Sequence, residues 1–264
     1  MAILKRSCVG VVLFLASAAL AQSRVLEAEP IPDKLVVLTF DDSAKSHATF
    51  VAPLLKKLGF GATFFITEGF DFPTNKAAYM TWEEVAGLYK MGFEIGNHTA
   101  KHANAAEQTR EAFTADLALI EARCLENGIP KPVSFAYPGN GIGGGVIEVL
   151  KEKGYRFARR GGAPEFPYEG GQGVAFDPKK HEALLIPSAG DARPAWKLED
   201  FVRAVTQAKE GKIAVVQFHG VPDREHPWVA TEPELFQAYM QYLKDNGYTV
   251  LALRDLAKYV NSAF

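Results

Sequence analysis

Cysteine is scarce in this 264-residue chain, which holds only Cys8 and Cys124. A small fold stapled by disulfides is excluded, so stability has to come from a core. Internal repeats, low-complexity tracts and long linkers are also absent, which excludes solenoids and tethered arrays. Runs of like charge are missing too. With 29 basic and 31 acidic residues and no basic stretch, nucleic acid is excluded as a partner. What is there is 48% hydrophobic and 23% charged sequence, enough for one sizeable α/β domain.

The one long apolar run lies at the N-terminus. In "MAILKRSCVGVVLFLASAALAQS", Lys5 and Arg6 precede an apolar stretch from Val9 to Leu20. Ala19-Leu20-Ala21 supplies an A-x-A cleavage pattern, so residues 1–21 read as a signal peptide. The stretch is short for a bilayer span, and no membrane insertion is expected after cleavage. Cys8 sits inside the run, away from the cleavage point, which argues against lipid attachment there. The expected product is secreted or periplasmic, with 27 basic against 31 acidic residues and a net charge near −4. It keeps Cys124 alone, in "LIEARCLENG", which reads as a buried helix position. Residues 22–32 form an N-terminal segment and 33–264 one domain.

Within that domain, short apolar runs alternate with helical patterns. Strands are predicted at 35–40, 62–66, 94–97, 133–137, 156–158, 183–187, 213–218 and 248–253. Helices are predicted near 46–58, 82–91, 107–127, 145–153, 198–209 and 232–245. Gly59, Gly92, Gly128, Gly154, Gly211 and Gly247 fall where each helix must stop before a strand. Seven or eight such βα units imply a single-domain, distorted (β/α)7-8 barrel, whose chemistry gathers at the C-terminal strand ends.

Polar residues do collect at those ends. "VVLTFDD" finishes on two adjacent carboxylates, Asp41 and Asp42. Neighbouring strand residues point to opposite faces, and like charges this close oppose each other. "NHTAKH" offers His98 and His102 four residues apart, a spacing that turns two imidazoles the same way on a helical turn. "VVQFHG" adds His219. Two histidines and one Asp would hold a metal and leave positions open for water and substrate. His47 reads as a helix-face residue, and His181 and His226 carry no motif. The "NHT" sequon at Asn97 would set a glycan against the site and reads as coincidence.

Taken in order, "TFDD" (39–42), "HTAKH" (98–102), "FAYPGN" (135–140) and "FHG" (218–220) resemble the polysaccharide deacetylases of the NodB-homology type, carbohydrate esterase family 4. The resemblance covers roughly residues 33–257. It implies that Asp42, His98 and His102 bind one divalent metal, with zinc the default and cobalt, nickel or manganese also suited. It implies further that Asp41 is the general base on the activated water and His219 the general acid toward the leaving nitrogen. The expected partner is a polysaccharide substrate; the sequence carries no information on oligomeric state.

Three positions depart from the family pattern. The usual arginine of the third motif is Ala136, and Arg159 or Arg160 in "FARRGG" could supply the guanidinium instead. Gly139 stands where an aromatic residue usually lends its N–H to the oxyanion, a donor that a glycine keeps. Gln217 replaces a leucine that lines the acyl pocket. Tyr137, Gly139 and Trp228 are expected at the substrate, and Asp191 beside the histidine it would orient. The resemblance implies removal of N-acetyl groups from an amino-sugar polymer. O-acetyl ester cleavage, hydrolysis of another small C–N amide, or a carbohydrate-binding protein with weakened catalysis remain open.

Overall fold

In the computed structural model, residues 28–143, 145–161 and 171–260 are described; the expected signal peptide and the start of segment 22–32 lie outside them. The central element is β1 (Leu35–Phe40), and all six of its residues are buried. It pairs in parallel with β7 (Ala214–Phe218) along its length. On its other side it meets β2 (Thr63–Ile66) near its end and β8 (Thr249–Leu251) near its start. The strand period of two sorts its side chains. Val36, Leu38 and Phe40 join the cluster under the helices, while Leu35 and Val37 meet Phe65, Phe157 and Val215 in a second cluster.

The sheet continues through β3 (Glu94–Asn97), β4 (Ser134–Ala136), β5 (Phe157–Arg159) and β6 (Gly190–Asp191). Its order is β5-β4-β3-β2-β1-β7-β6, with β8 on β1, and every strand pair is parallel. Outside lie α1 (Ala52–Leu58), entered through a π-turn at His47–Val51, then α2 (Trp82–Lys90) and α3 (Arg110–Glu126). α4 (Val146–Glu152), α5 (Leu198–Val205) and α6 (Pro233–Asp245) follow. This is the distorted (β/α)7-8 barrel that the sequence predicts. The local signals are the expected ones: Thr81 and Glu84 form a capping box on α2, and Gly59 ends α1 at φ 74°. Cys124 is buried in α3. Among the described residues, no helix is long and apolar enough to cross a membrane.

One predicted strand needs correction. Residues 183–187 form no regular strand; Ile186 makes an isolated parallel bridge to Arg159, and the backbone bonds of Ala183 and Ile186 go to Ala158 and Arg160. Pro187 has no N–H to continue a ladder. The chain crosses instead to β7, where Ala189 N–H donates to the Val215 carbonyl and Ala192 N–H to the Gln217 carbonyl. The same segment thus bonds to β5 at one end and β7 at the other, and β6 is displaced to Gly190–Asp191.

At the opposite end of the strands, Glu94 ties the barrel base together. Its carboxylate accepts hydrogen bonds from Thr63 Oγ1 (2.7 Å), Ser134 Oγ (2.6 Å) and the Arg254 N–H (2.8 Å). Burial pushes its pKa above the ordinary value despite these donors. Glu94→Ala would orphan three buried donors and open a cavity. We expect it to lower the unfolding free energy by about 3 kcal/mol, read from urea denaturation at neutral pH.

Candidate active site

The inward parity of the strands carries chemistry to the barrel mouth. Residues 35 and 37 face the inner cluster, and the same parity brings Asp41 to the rim. On β7, Val215 is followed two residues on by Gln217, and on β5, Phe157 by Arg159. These three side chains meet. Arg159 Nη2 lies 2.5 Å from Asp41 Oδ2, its Nη1 donates to Gln217 Oε1, and Gln217 Nε2 donates to Asp41 Oδ2 at 3.3 Å. Arg159 is 1% exposed, so its charge is held where only a carboxylate can compensate it. Asp41 Oδ1, by contrast, is buried without a hydrogen-bond partner. Arg160 turns elsewhere: its Nε donates to the Leu185 carbonyl at 3.1 Å.

Asp42 leaves the strand in a left-handed conformation, φ 70°, and Ser43 follows at 58°. Such values are uncommon for residues with a Cβ, and the turn redirects Asp42 away from its neighbour. Its Oδ1 lies 3.4 Å from His98 Nε2 and 3.2 Å from His102 Nε2. The three ligand atoms lie within 4.8 Å of one another. His98 Nδ1 is 2.8 Å from the Ala136 carbonyl, a contact only an Nδ1–H can make, so neutral His98 presents an Nε2 lone pair. Asp42 Oδ1 has no hydrogen-bond partner. Two buried groups and one half-buried imidazole converging on one point are what a divalent cation fits. Burial pushes Asp42 up, yet His102 and His98 outweigh it and hold the carboxyl well below its usual range. Burial likewise disfavours charge on His98, but Asp41 and Asp42 raise its pKa.

His219 faces the pair from β7, with Nε2 3.9 Å from Asp42 Oδ2 and Nδ1 3.7 Å from Asp191 Oδ1. Asp191, raised by burial, is anchored by Arg193 Nη2 at 2.6 Å. His47 opens the π-turn on its inward face: it is fully buried, and its Nε2–H donates to the His219 carbonyl at 3.1 Å. The residues expected at the substrate divide. A cavity of about 290 Å³ is lined by the metal-site residues together with Tyr137, Gly139 and Trp228. The Tyr137 ring, however, is core, and its hydroxyl donates to the Leu184 carbonyl at 2.7 Å. Asn97 is fully buried with its amide on Leu117 O and Tyr155 Oη, so the sequon is closed to glycosylation in the fold.

Phe70, Arg193 and His226 also line this cavity, and sequence reasoning did not single them out. Phe70 and His226 sit in connections, where no periodicity marks the side that faces inward. His181 stays outside it, accepting from the Asp177 N–H.

A family model described as "Polysaccharide deacetylase" matches residues 28–158. Peptidoglycan-N-acetylglucosamine deacetylase of Bacillus cereus is 31% identical over 128 residues, 48% of this chain. The match spans 56% of that relative's length. Among solved structures, a family 4 acetyl xylan esterase from Clostridium thermocellum, in complex with a cobalt ion, superposes with a TM-score of 0.56 at 21% identity. That similarity covers 87% of this chain and 94% of the other. A CE4-family pseudoenzyme from Bacillus anthracis gives 0.58 at 17% identity, covering 86% and 66%.

Burial lowers the His47 pKa to about 4, with the His219 carbonyl opposing the shift. The neutral form is thus favoured by folding. Stability should be complete above pH 6.5 and fall as pH drops from 6.5 toward 4, where the unfolded chain alone takes up the proton. This group contributes a loss of about 3 kcal/mol across that window. Urea midpoints at pH 7.5 and 4.5 should differ more in the wild type than in His47→Gln; equal differences would refute the assignment.

Proposed function

The chain belongs to the polysaccharide deacetylase family, and from that premise we propose that it is a secreted or periplasmic, metal-dependent hydrolase. Its substrate on this reading is an amino-sugar polymer, from which it removes N-acetyl groups. The observation that carries the proposal is the convergence of Asp42, His98 and His102 beside an arginine-held Asp41. Those three residues would hold one divalent cation, zinc by default. Bound there, it would supply Lewis acidity that polarises the acyl carbonyl and acidifies water at the site.

The protein's own groups have separable tasks in this scheme. Asp41 is anchored through Oδ2 by Arg159 and Gln217, which leaves Oδ1 as the atom that takes a proton from the attacking water. Arg159 fixes that carboxylate in place, the task the family usually gives to the position of Ala136. His219 gives its Nε2 proton to the leaving nitrogen, while Asp191, tied to Arg193, steadies the ring through Nδ1. The Gly139 N–H serves the oxyanion, while Tyr137 supports the loop from behind: its N–H donates to the Arg159 carbonyl and its carbonyl accepts from the Asn140 N–H. The polar Gln217 wall favours one second reading, hydrolysis of another small C–N amide by the same groups.

The purified protein should carry close to one divalent metal per chain by elemental analysis and release acetate from N-acetylglucosamine oligomers. His98→Ala should lose both. Asp41→Asn should keep the metal and lower kcat by about 10²- to 10⁴-fold. Acetate release that persists after chelation would sink the mechanism.

A separate check concerns Arg159. Arg159→Met leaves Asp41 buried beside Gln217 without its anchoring guanidinium, so kcat should fall by about tenfold or more while the metal content stays unchanged. An unchanged kcat would remove Arg159 from the scheme.

A further inference from the structure

Beyond the metal centre, the cavity opens onto an aromatic rim. Trp228 is 64% and Phe70 46% exposed, unusually high for side chains of this size. His226 stands between them, with ring centroids 4.6 Å from Phe70 and 5.3 Å from Trp228. All three line the cavity that holds Asp42 and His102. Phe70 is itself 4.6 Å from His102, so the rim begins where the metal site ends.

Phe70 and His226 are fixed. Phe70 sits at φ 57°, a conformation a bulky residue adopts only when its surroundings impose it. Gly69 allows the close approach, since a Cβ there would lie 2.7 Å from His102 Cβ. Tyr79 is buried and lies nearly parallel to Phe70, at 6.5 Å and 10°. Asp223 holds His226 from behind: its Oδ1 accepts the His226 backbone N–H at 2.8 Å and lies 3.5 Å from the ring Nδ1. Nε2 is then the ring nitrogen left for a ligand.

We propose that Phe70, His226 and Trp228 form a subsite that stacks the sugar next to the one bearing the acyl group. A pyranose ring offers flat C–H faces to the two aromatic rings and hydroxyls to the imidazole between them. The enzyme therefore favours linked sugars over a single one. The proposal rests on the polysaccharide-deacylase reading.

The test pairs binding with kinetics. Trp82 is half-buried and Trp196 buried, so Trp228 is the exposed indole. A β-linked N-acetylglucosamine tetramer should change tryptophan fluorescence saturably, and Trp228→Phe should abolish the change. Phe70→Leu and His226→Ala should weaken tetramer binding roughly three- to tenfold and lower the tetramer-to-monomer ratio of kcat/KM by a similar factor. A ratio that does not move overturns the subsite. So does an equal loss on both substrates with loss of metal, which would mean that the rings only support His102. A wild type that releases no acetate yet shows the fluorescence change, weakened in the variants, would refute the reaction and still support the subsite.

Discussion

Two carboxylates at the end of one buried strand repel each other, and the structure around the mouth of this barrel is organised to compensate each of them separately. The backbone separates them first. Asp41 keeps the inward parity of β1, while Asp42 turns away through a left-handed φ of 70°. Each then finds its own compensation, Arg159 for Asp41 and the His98–His102 pair for Asp42. Burial makes that compensation obligatory, because an uncompensated charge there would take up or lose a proton instead.

The compensating groups come from elements far apart in the chain. Arg159 arrives from β5, Gln217 and His219 from β7, and the two histidines from the loop after β3. Parallel pairing makes this possible, since every strand delivers its C-terminal end to the same rim. The opposite end is built differently. Glu94 there is met by three donors and has no unsatisfied oxygen to offer, so it binds strands together. Asp41 and Asp42 each retain a buried oxygen without a hydrogen bond.

The histidines divide in the same way. His47 is neutralised by burial and spends its N–H on the His219 carbonyl, fixing the backbone from which His219 projects. His226 is held by Asp223 at a rim of exposed aromatic rings. Identical side chains thus take up different surroundings according to which of their nitrogens the fold engages.

The sequence by itself determined most of the frame. Strand runs such as "LVVLTF", glycine stops such as Gly59 and the ordered "TFDD", "HTAKH" and "FHG" segments specify the barrel and which strand ends bear charge. Those signals are local: a period of two, a left-handed stop, a fixed spacing along the chain. Tertiary structure decided the rest. Nothing in "FARRGG" separates Arg159 from Arg160; the parity of β5 does, sending one to Asp41 and the other to the Leu185 carbonyl. Only the crossing from β5 to β7 shows why 183–187 is no strand, and only packing turns His47 inward and sets Phe70 beside His226. Local pattern fixes which way a strand's side chain faces, whereas its neighbour across the barrel depends on where distant segments are brought together.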